Sequence, residues 1–180
     1  TKAHVMLSLV YGCGMRAGEV VRLKVGDIDS AQEIIRIVQS KGRKDRNVML
    51  PSDILGLLRA WWTERPTGQD KDVSAPERVL FPGYRGKHLS ARQISRLFKE
   101  AAREAGITKP VTLHTLRHSF ATHLLERGVD IRVIQALLGH AKLTTTARYA
   151  SVATGMIAAV DSPLDDLNGA KRKKGKPKPS

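Results

Sequence analysis

Apolar residues return every three or four positions through most of this chain, and in one early stretch the spacing shortens toward alternation. Residues 3–10 are apolar and helix-like, and after a glycine-rich break a helical pattern restarts over 16–23. Residues 33–38 are rich in β-branched side chains, and 46–50 alternate charged or polar with apolar. Between them Ser40-Lys41-Gly42-Arg43-Lys44-Asp45 is basic and turn-rich, which predicts a hairpin with lysines at its tip. Ser52 is placed to cap a helix running to Glu64 that carries Leu55, Leu58, Trp61 and Trp62. Residues 66–87 are rich in Gly, Pro and charge and predict a long loop, interrupted by one short strand at Val79-Leu80-Phe81.

Helices dominate the second half. Ser90 is placed to cap one whose apolar positions Ile94, Leu97, Phe98, Ala101 and Ala105 keep a helical period until Gly106. Thr112 or Leu113 opens another through Leu125, ended by Gly128. Asp130 caps a third over 131–138, ended by Gly139. Residues 144–150 are expected to continue as helix, and 155–160 to form a last small apolar helix before Pro163. The expected class is α+β, mainly α, with one small antiparallel sheet near residues 28–50.

Length and composition narrow this further. A chain of 180 residues suffices for one domain with a real core, and an aromatic share of 4% leaves Leu, Val, Ile and Ala to fill it. The net charge of +14 favours a polyanionic partner, nucleic acid above all. Six of those charges lie between Gly169 and Pro179, so removing them leaves the rest at +8. Residues 169–180 are therefore read as a basic, disordered tail and 1–168 as the domain. The lone Cys13, set among apolar neighbours, excludes an internal disulfide and any multi-cysteine metal site. No apolar run approaches the ~18 residues of a membrane span and no signal-peptide pattern opens the chain, so a cytoplasmic location is expected. Because Thr1 stands directly before an apolar helix-like stretch, the chain is read as a fragment preceded by further sequence.

Six residues fall into an order that suits attack on a phosphodiester. Arg16 sits in Tyr11-Gly12-Cys13-Gly14-Met15-Arg16-Ala17-Gly18-Glu19-Val20, Lys41 in the basic turn, and His114 and Arg117 in Leu113-His114-Thr115-Leu116-Arg117-His118. His140 closes Leu137-Leu138-Gly139-His140, and Tyr149 lies in Ala147-Arg148-Tyr149-Ala150. A phosphate diester gains negative charge on its equatorial oxygens in the transition state, which calls for planar bidentate donors, so Arg16 and Arg117 form the candidate clamp. His114 and Arg117 stand at i and i+3 of one predicted helix and leave it on the same face. A phenol of pKa near 10 resists ionisation at neutral pH by roughly 4 kcal/mol, so Tyr149 as a nucleophile needs a base or a strong positive field beside it. His114 and His118 have the spacing of a zinc pair, but no Glu stands between them and no cysteine cluster exists, so no metal is expected. His118 and His123 read as structural. No P-loop pattern is present, and no nucleotide or other cofactor is expected.

At these motifs, from the first residues to Tyr149, the chain resembles the catalytic domain of the tyrosine recombinases, of the phage integrase and Xer type. The resemblance implies the DNA breaking-rejoining fold, with an N-terminal DNA-clamping domain missing from this chain. It implies that Tyr149 attacks the scissile phosphate to give a 3′-phosphotyrosyl bond and a free 5′ hydroxyl, while Arg16 and Arg117 contact that phosphate. His114 would accept or relay the tyrosine proton, and His140 would hydrogen-bond the phosphate. Lys41 would protonate the leaving oxygen, with Lys44 as its rival. Glu19 and Asp27 read as supports for Arg16 and the fold. Met15 and Gly18 stand where leucine and serine are frequent, and Ala-Ser follows Tyr149 instead of Thr-His, yet none of these changes removes a catalytic group.

The implied partner is double-stranded DNA, with no membrane, and the implied assembly is a homo-oligomer, a tetramer on DNA, the isolated domain being a monomer. Arg92, Arg96, Lys99 and Arg103 recur on one predicted helix and, with Arg43 and Lys44, are candidate DNA contacts. Val152, Met156, Ile157, Val160, Leu164 and Leu167 form an apolar set expected to dock on a neighbouring subunit, the alternative being to fold back on the same chain. Two rival functions stand beside site-specific recombination and integration. Residues 124–134 also describe helix, glycine turn, helix, as in a non-catalytic DNA-binding module. A type IB topoisomerase would share the chemistry and reseal the same strand.

Overall fold

The computed structural model describes residues 2–38, 45–68, 72–83, 88–139, 157 and 159–167. The expectations for 144–150, for Val152 and Met156 and for the tail lie outside those residues. The first helix, α1 (Lys2–Gly12), is the hub. Its residues Val5, Met6, Leu9 and Val10 are buried, and it packs against α2 (Ala17–Arg22), α3 (Ser52–Glu64), α4 (Ala91–Glu104), α5 (Leu113–Glu126) and a last short helix, α7 (Pro163–Leu167). A segment apolar on nearly every side is stable as a helix only when other elements surround it.

The expected hairpin is present, with one strand more. Strands β1 (Ile28–Asp29), β2 (Ile34–Ile37) and β3 (Arg46–Met49) form an antiparallel sheet in chain order. The register sets Ile35 opposite Val48 and Ile37 opposite Arg46. Side chains alternate between the faces of a strand, so Arg46 shares a face with the fully buried Val48.

The helix ends follow the expected capping chemistry with one exception. Ser90 caps α4 in a capping box with Gln93, and Thr112 caps α5 in the same way with Thr115. Asp130 accepts from the Arg132 amide at the start of α6 (Ile131–Leu138), and Gly139 ends that helix in the left-handed conformation. Ser52, by contrast, is the first residue of α3 and not its cap; Pro51 occupies the cap position with extended backbone. The buried face of α3 is Ile54, Leu58 and Trp61, while Leu55 and Trp62 are half-buried. The short strand expected at 79–81 is reduced to an isolated bridge between Val79 and Lys24, with the Leu80 amide donating to the Leu23 carbonyl. Phe81 is fully buried there.

The end of the described chain corrects a further expectation. Pro163 opens a further short helix, and the segment folds back on its own chain. Ile157, Ser162 and Leu164 are buried, and α7 packs on α1 and α5. The Ser162 hydroxyl donates to the Gly12 carbonyl at 2.7 Å, and a Cβ on Gly12 would stand 3.2 Å from a Leu164 methyl and 2.8 Å from one of Ile54. Ile157 and Leu164 of the apolar set thus pack in cis, the alternative reading, whereas Leu167 is exposed. Leu164→Ala should cost about 2 to 3 kcal/mol in urea unfolding. Because the packing is intramolecular, the unfolding midpoint should not change with protein concentration.

Candidate active site

The buried stripe of α5 runs Leu113, Arg117, Phe120, Leu124, with an arginine in a position otherwise held by core hydrocarbons. Burying a guanidinium is costly unless its donors find acceptors. Arg117 donates from Nη1 to the Gly14 carbonyl at 2.5 Å and from Nη2 to the Leu138 carbonyl. Gly14 can present its oxygen there only as a glycine: its φ is +62°, and a Cβ would lie 2.5 Å from the Phe120 ring.

Arg16 approaches the same place from α2. It is the N-cap residue of that helix, its backbone amide donating to Glu19 Oε2 at 2.7 Å and its Nη1 to Glu19 Oε1 at 2.9 Å. Its Nη2 reaches the Gly139 carbonyl at 3.3 Å. A third arginine, not singled out from the sequence, completes the group. Arg46 donates from Nε to the Leu137 carbonyl at 2.7 Å and from Nη1 and Nη2 to the two oxygens of Glu19, each at 2.8 Å. The signal for Arg46 was its place in an alternating strand, one face of which is apolar.

Three successive carbonyls at the end of α6, Leu137, Leu138 and Gly139, therefore each hold one arginine: Arg46, Arg117 and Arg16 in that order. The last carbonyls of a helix have no partner within it and carry the negative end of the helix dipole, so cations gather there. Gly139 has φ +62°, and a Cβ on it would stand 2.9 Å from Arg46 Cδ, so the close approach needs glycine twice over.

Charge follows geometry. Burial pushes the Glu19 carboxyl up, but the hydrogen bonds and charge of Arg46 and the hydrogen bonds of Arg16 outweigh it and hold its pKa down at about 2. Burial, and then the charges of Arg16 and Arg46, bring the Arg117 guanidinium down to about 10, which leaves it cationic at neutral pH. Three guanidiniums against one carboxylate leave a local excess of positive charge, and the Arg16 side chain is 32% exposed, so solvent or an anion has access to it. The arrangement can bind a phosphate and stabilise further negative charge on it.

His114 lies one turn before Arg117 near the start of α5 and is exposed. His118 is exposed as well, on the solvent side of α5, which does not fit the structural role expected of it. His123 is structural as expected, its Nδ1 2.9 Å from the Tyr11 hydroxyl and its ring edge-on to that tyrosine. Glu19 supports Arg16 directly, whereas Asp27 accepts from the Lys24 amide and serves the fold. Lys41, Arg43, Lys44, His140 and Tyr149 lie outside the described residues. Among the described residues no cluster of His, Cys, Asp or Glu could hold a metal ion, and no helix is long and apolar enough to cross a membrane. Cys13 is buried, and burial raises its pKa. Arg92, Arg96, Lys99 and Arg103 are all exposed on α4, within an arc of about 60° at helical spacing. Arg96 stands 3.8 Å from Glu100.

The family model described as phage integrase family matches residues 1–156. Tyrosine recombinase XerD of Pseudomonas putida is 40% identical over 150 residues, which cover 83% of this chain and 49% of that protein. Tyrosine recombinase XerC of Chromobacterium violaceum is 37% identical over 174 residues, covering 97% and 55%. The chain spans about half the length of these curated relatives. Among solved structures, XerA recombinase is similar with a TM-score of 0.64 at 32% identity, covering 83% of this chain and 57% of that one. XerH site-specific recombinase bound to its difH substrate, in a pre-cleavage complex, is similar with a TM-score of 0.66 at 30% identity, covering 82% and 42%.

The depressed Glu19 pKa sets an acid limit on stability. A glutamate titrates near 4.3 when unfolded and Glu19 near 2 when folded, so its contribution is complete above about pH 4.3 and is lost as pH falls toward 2. A shift of that size corresponds to on the order of 3 kcal/mol. Glu19→Gln should lower stability by an amount of that order at pH 7, measured by urea unfolding. The gap between variant and wild type should close between pH 4 and pH 2.

Proposed function

This chain belongs to the phage integrase family, and from that premise we propose that it carries the strand-cleaving site of a site-specific recombinase, breaking and rejoining double-stranded DNA through a 3′-phosphotyrosyl intermediate. One observation carries the reading. Arg16 and Arg117, far apart in sequence, are brought onto the consecutive carbonyls of Gly139 and Leu138, immediately before His140 in the chain.

The site's chemistry follows. Arg16 and Arg117 bind the scissile phosphate and stabilise the charge that develops on its equatorial oxygens, with His140 donating a further hydrogen bond. Tyr149 Oη attacks phosphorus, and its proton passes to His114. The bond from phosphorus to the 5′ oxygen breaks, and that oxygen takes a proton from Lys41, or from its rival Lys44. Because one phosphoester replaces another, the bond energy is kept, and a 5′ hydroxyl from the same or a partner strand can reverse the step. These residues perform the exchange with no metal and no cofactor.

Residues 1–168 act as the catalytic domain, and the basic tail at 169–180 adds phosphate contacts. The exposed row Arg92, Arg96, Lys99 and Arg103 lies along the DNA, together with Arg43 and Lys44. The XerH relative is a recombinase seen bound to DNA, which supports duplex DNA as the partner here. We assign the working form as a homo-oligomer assembled on DNA, a tetramer, in the cytoplasm.

Incubated without metal with labelled duplex selected from a randomised pool for binding, the wild-type chain should give a covalent adduct on a denaturing gel. Tyr149→Phe should give none while its DNA affinity stays within about threefold. If the wild type binds duplex and no adduct forms even when it is fused behind the N-terminal half of a Xer relative, the reading as a DNA-binding module takes its place. Replacing Arg92, Arg96, Lys99 and Arg103 together by alanine should lower the slope of log affinity against log salt by about 0.9 for each phosphate no longer neutralised.

A further inference from the structure

Arg46 touches three parts of the molecule at once. It belongs to β3, the strand that follows the basic turn holding Lys41. It binds both oxygens of Glu19, the carboxylate that also holds the backbone and the guanidinium of Arg16. Its Nε binds the Leu137 carbonyl, three residues before His140. Its side chain is 8% exposed and that of Glu19 is 5%, so the pair is shielded from solvent.

The sharing of Glu19 decides the position of Arg16. Glu19 Oε1 accepts from Nη1 of both arginines, and Oε2 accepts from the Arg16 amide and from Arg46 Nη2. With Arg46 in place, Glu19 is occupied on both oxygens and takes one guanidinium donor from Arg16, whose Nη2 is left for Gly139. Without Arg46, each oxygen of Glu19 loses a guanidinium donor, and a carboxylate draws a neighbouring guanidinium into a two-bond fork. Arg16 would turn toward Glu19 and away from Gly139. The strand would also lose its tie to the end of α6.

We propose that Arg46 is a positioning residue for the phosphate clamp: it divides Glu19 with Arg16, holds the Arg16 guanidinium toward Gly139, and ties the lysine-bearing hairpin to the segment leading into His140. This rests on the function proposed above, but its structural half stands without it. Lysine is no substitute, since an ammonium is a point charge and lacks the planar fork needed to hold Glu19 and the Leu137 carbonyl together.

The test uses Arg46→Met, Arg46→Lys and the double variant Arg46→Met/Glu19→Gln, with three measurements. The rate of adduct formation at saturating duplex should fall about ten- to a hundredfold in all three, while half-saturation moves less than about threefold. Thermal unfolding should identify a temperature at which every variant is folded, and the loss of rate should persist there. A crystal structure of Arg46→Met should show Arg16 Nη2 moved out of hydrogen-bond reach of the Gly139 carbonyl. A rate that returns to the wild-type value once the variants are measured fully folded would mean that Arg46 only supports the fold, and the proposal would be overturned. An Arg16 still seated on Gly139 in Arg46→Met would overturn it as well. If the wild type forms no adduct on duplex it binds, even when fused behind the N-terminal half of a Xer relative, the catalytic reading falls, and the crystal structure alone decides whether Arg46 positions Arg16.

Discussion

Positive charge held at the end of one helix is the constraint on which this structure turns. Helix α6 ends in three carbonyls that its own backbone cannot satisfy, and each receives a guanidinium from a different part of the chain: β3, α5 and the start of α2. Three buried or half-buried arginines would repel one another, and Glu19 makes the grouping tolerable by binding two of them. The carboxylate is held ionised far below its usual range by that company. The remaining excess of positive charge suits the site to an anion such as phosphate.

Two glycines make the grouping geometrically feasible. Gly14 and Gly139 both adopt left-handed backbone, and each offers its carbonyl to an arginine from the opposite side of the site. A side chain at either position would collide, with the Phe120 ring in one case and with Arg46 in the other. The core reaches the site through the same residues, because Phe120 lies one turn beyond Arg117 on the buried stripe of α5. Packing around α1 thus fixes α5, and α5 fixes the most buried member of the clamp.

Much of this is legible in the order of residues alone. The helical spacing of Ile94, Leu97 and Phe98, the caps at Ser90 and Asp130, and the terminating Gly139 are local signals, and local signals survive folding. The hairpin is legible for the same reason, since the alternation from Arg46 to Leu50 and the basic turn before it belong to one short stretch. The motifs around Arg16, His114 and Arg117 identify the candidate site because residue type and order carry them. Ser52 misleads because proline at the preceding position can hold the extended cap conformation without a side-chain bond. His118 misleads because apolar neighbours in sequence lie on the other side of a helix.

The class, most of the elements and the two arginines of the candidate clamp thus follow from the amino-acid sequence, because they depend on periodicity, capping and residue chemistry within a few positions of one another. It took the packed chain to bring Arg46 to Arg16 and Arg117, to seat the three on carbonyls at the end of α6, and to fold α7 back onto α1 and α5 of its own chain. The physical reason is the same in each case. A buried charge selects its partner by distance and by the cost of going without one, and no spacing along the chain encodes which carbonyl or carboxylate will be near when the helices have packed.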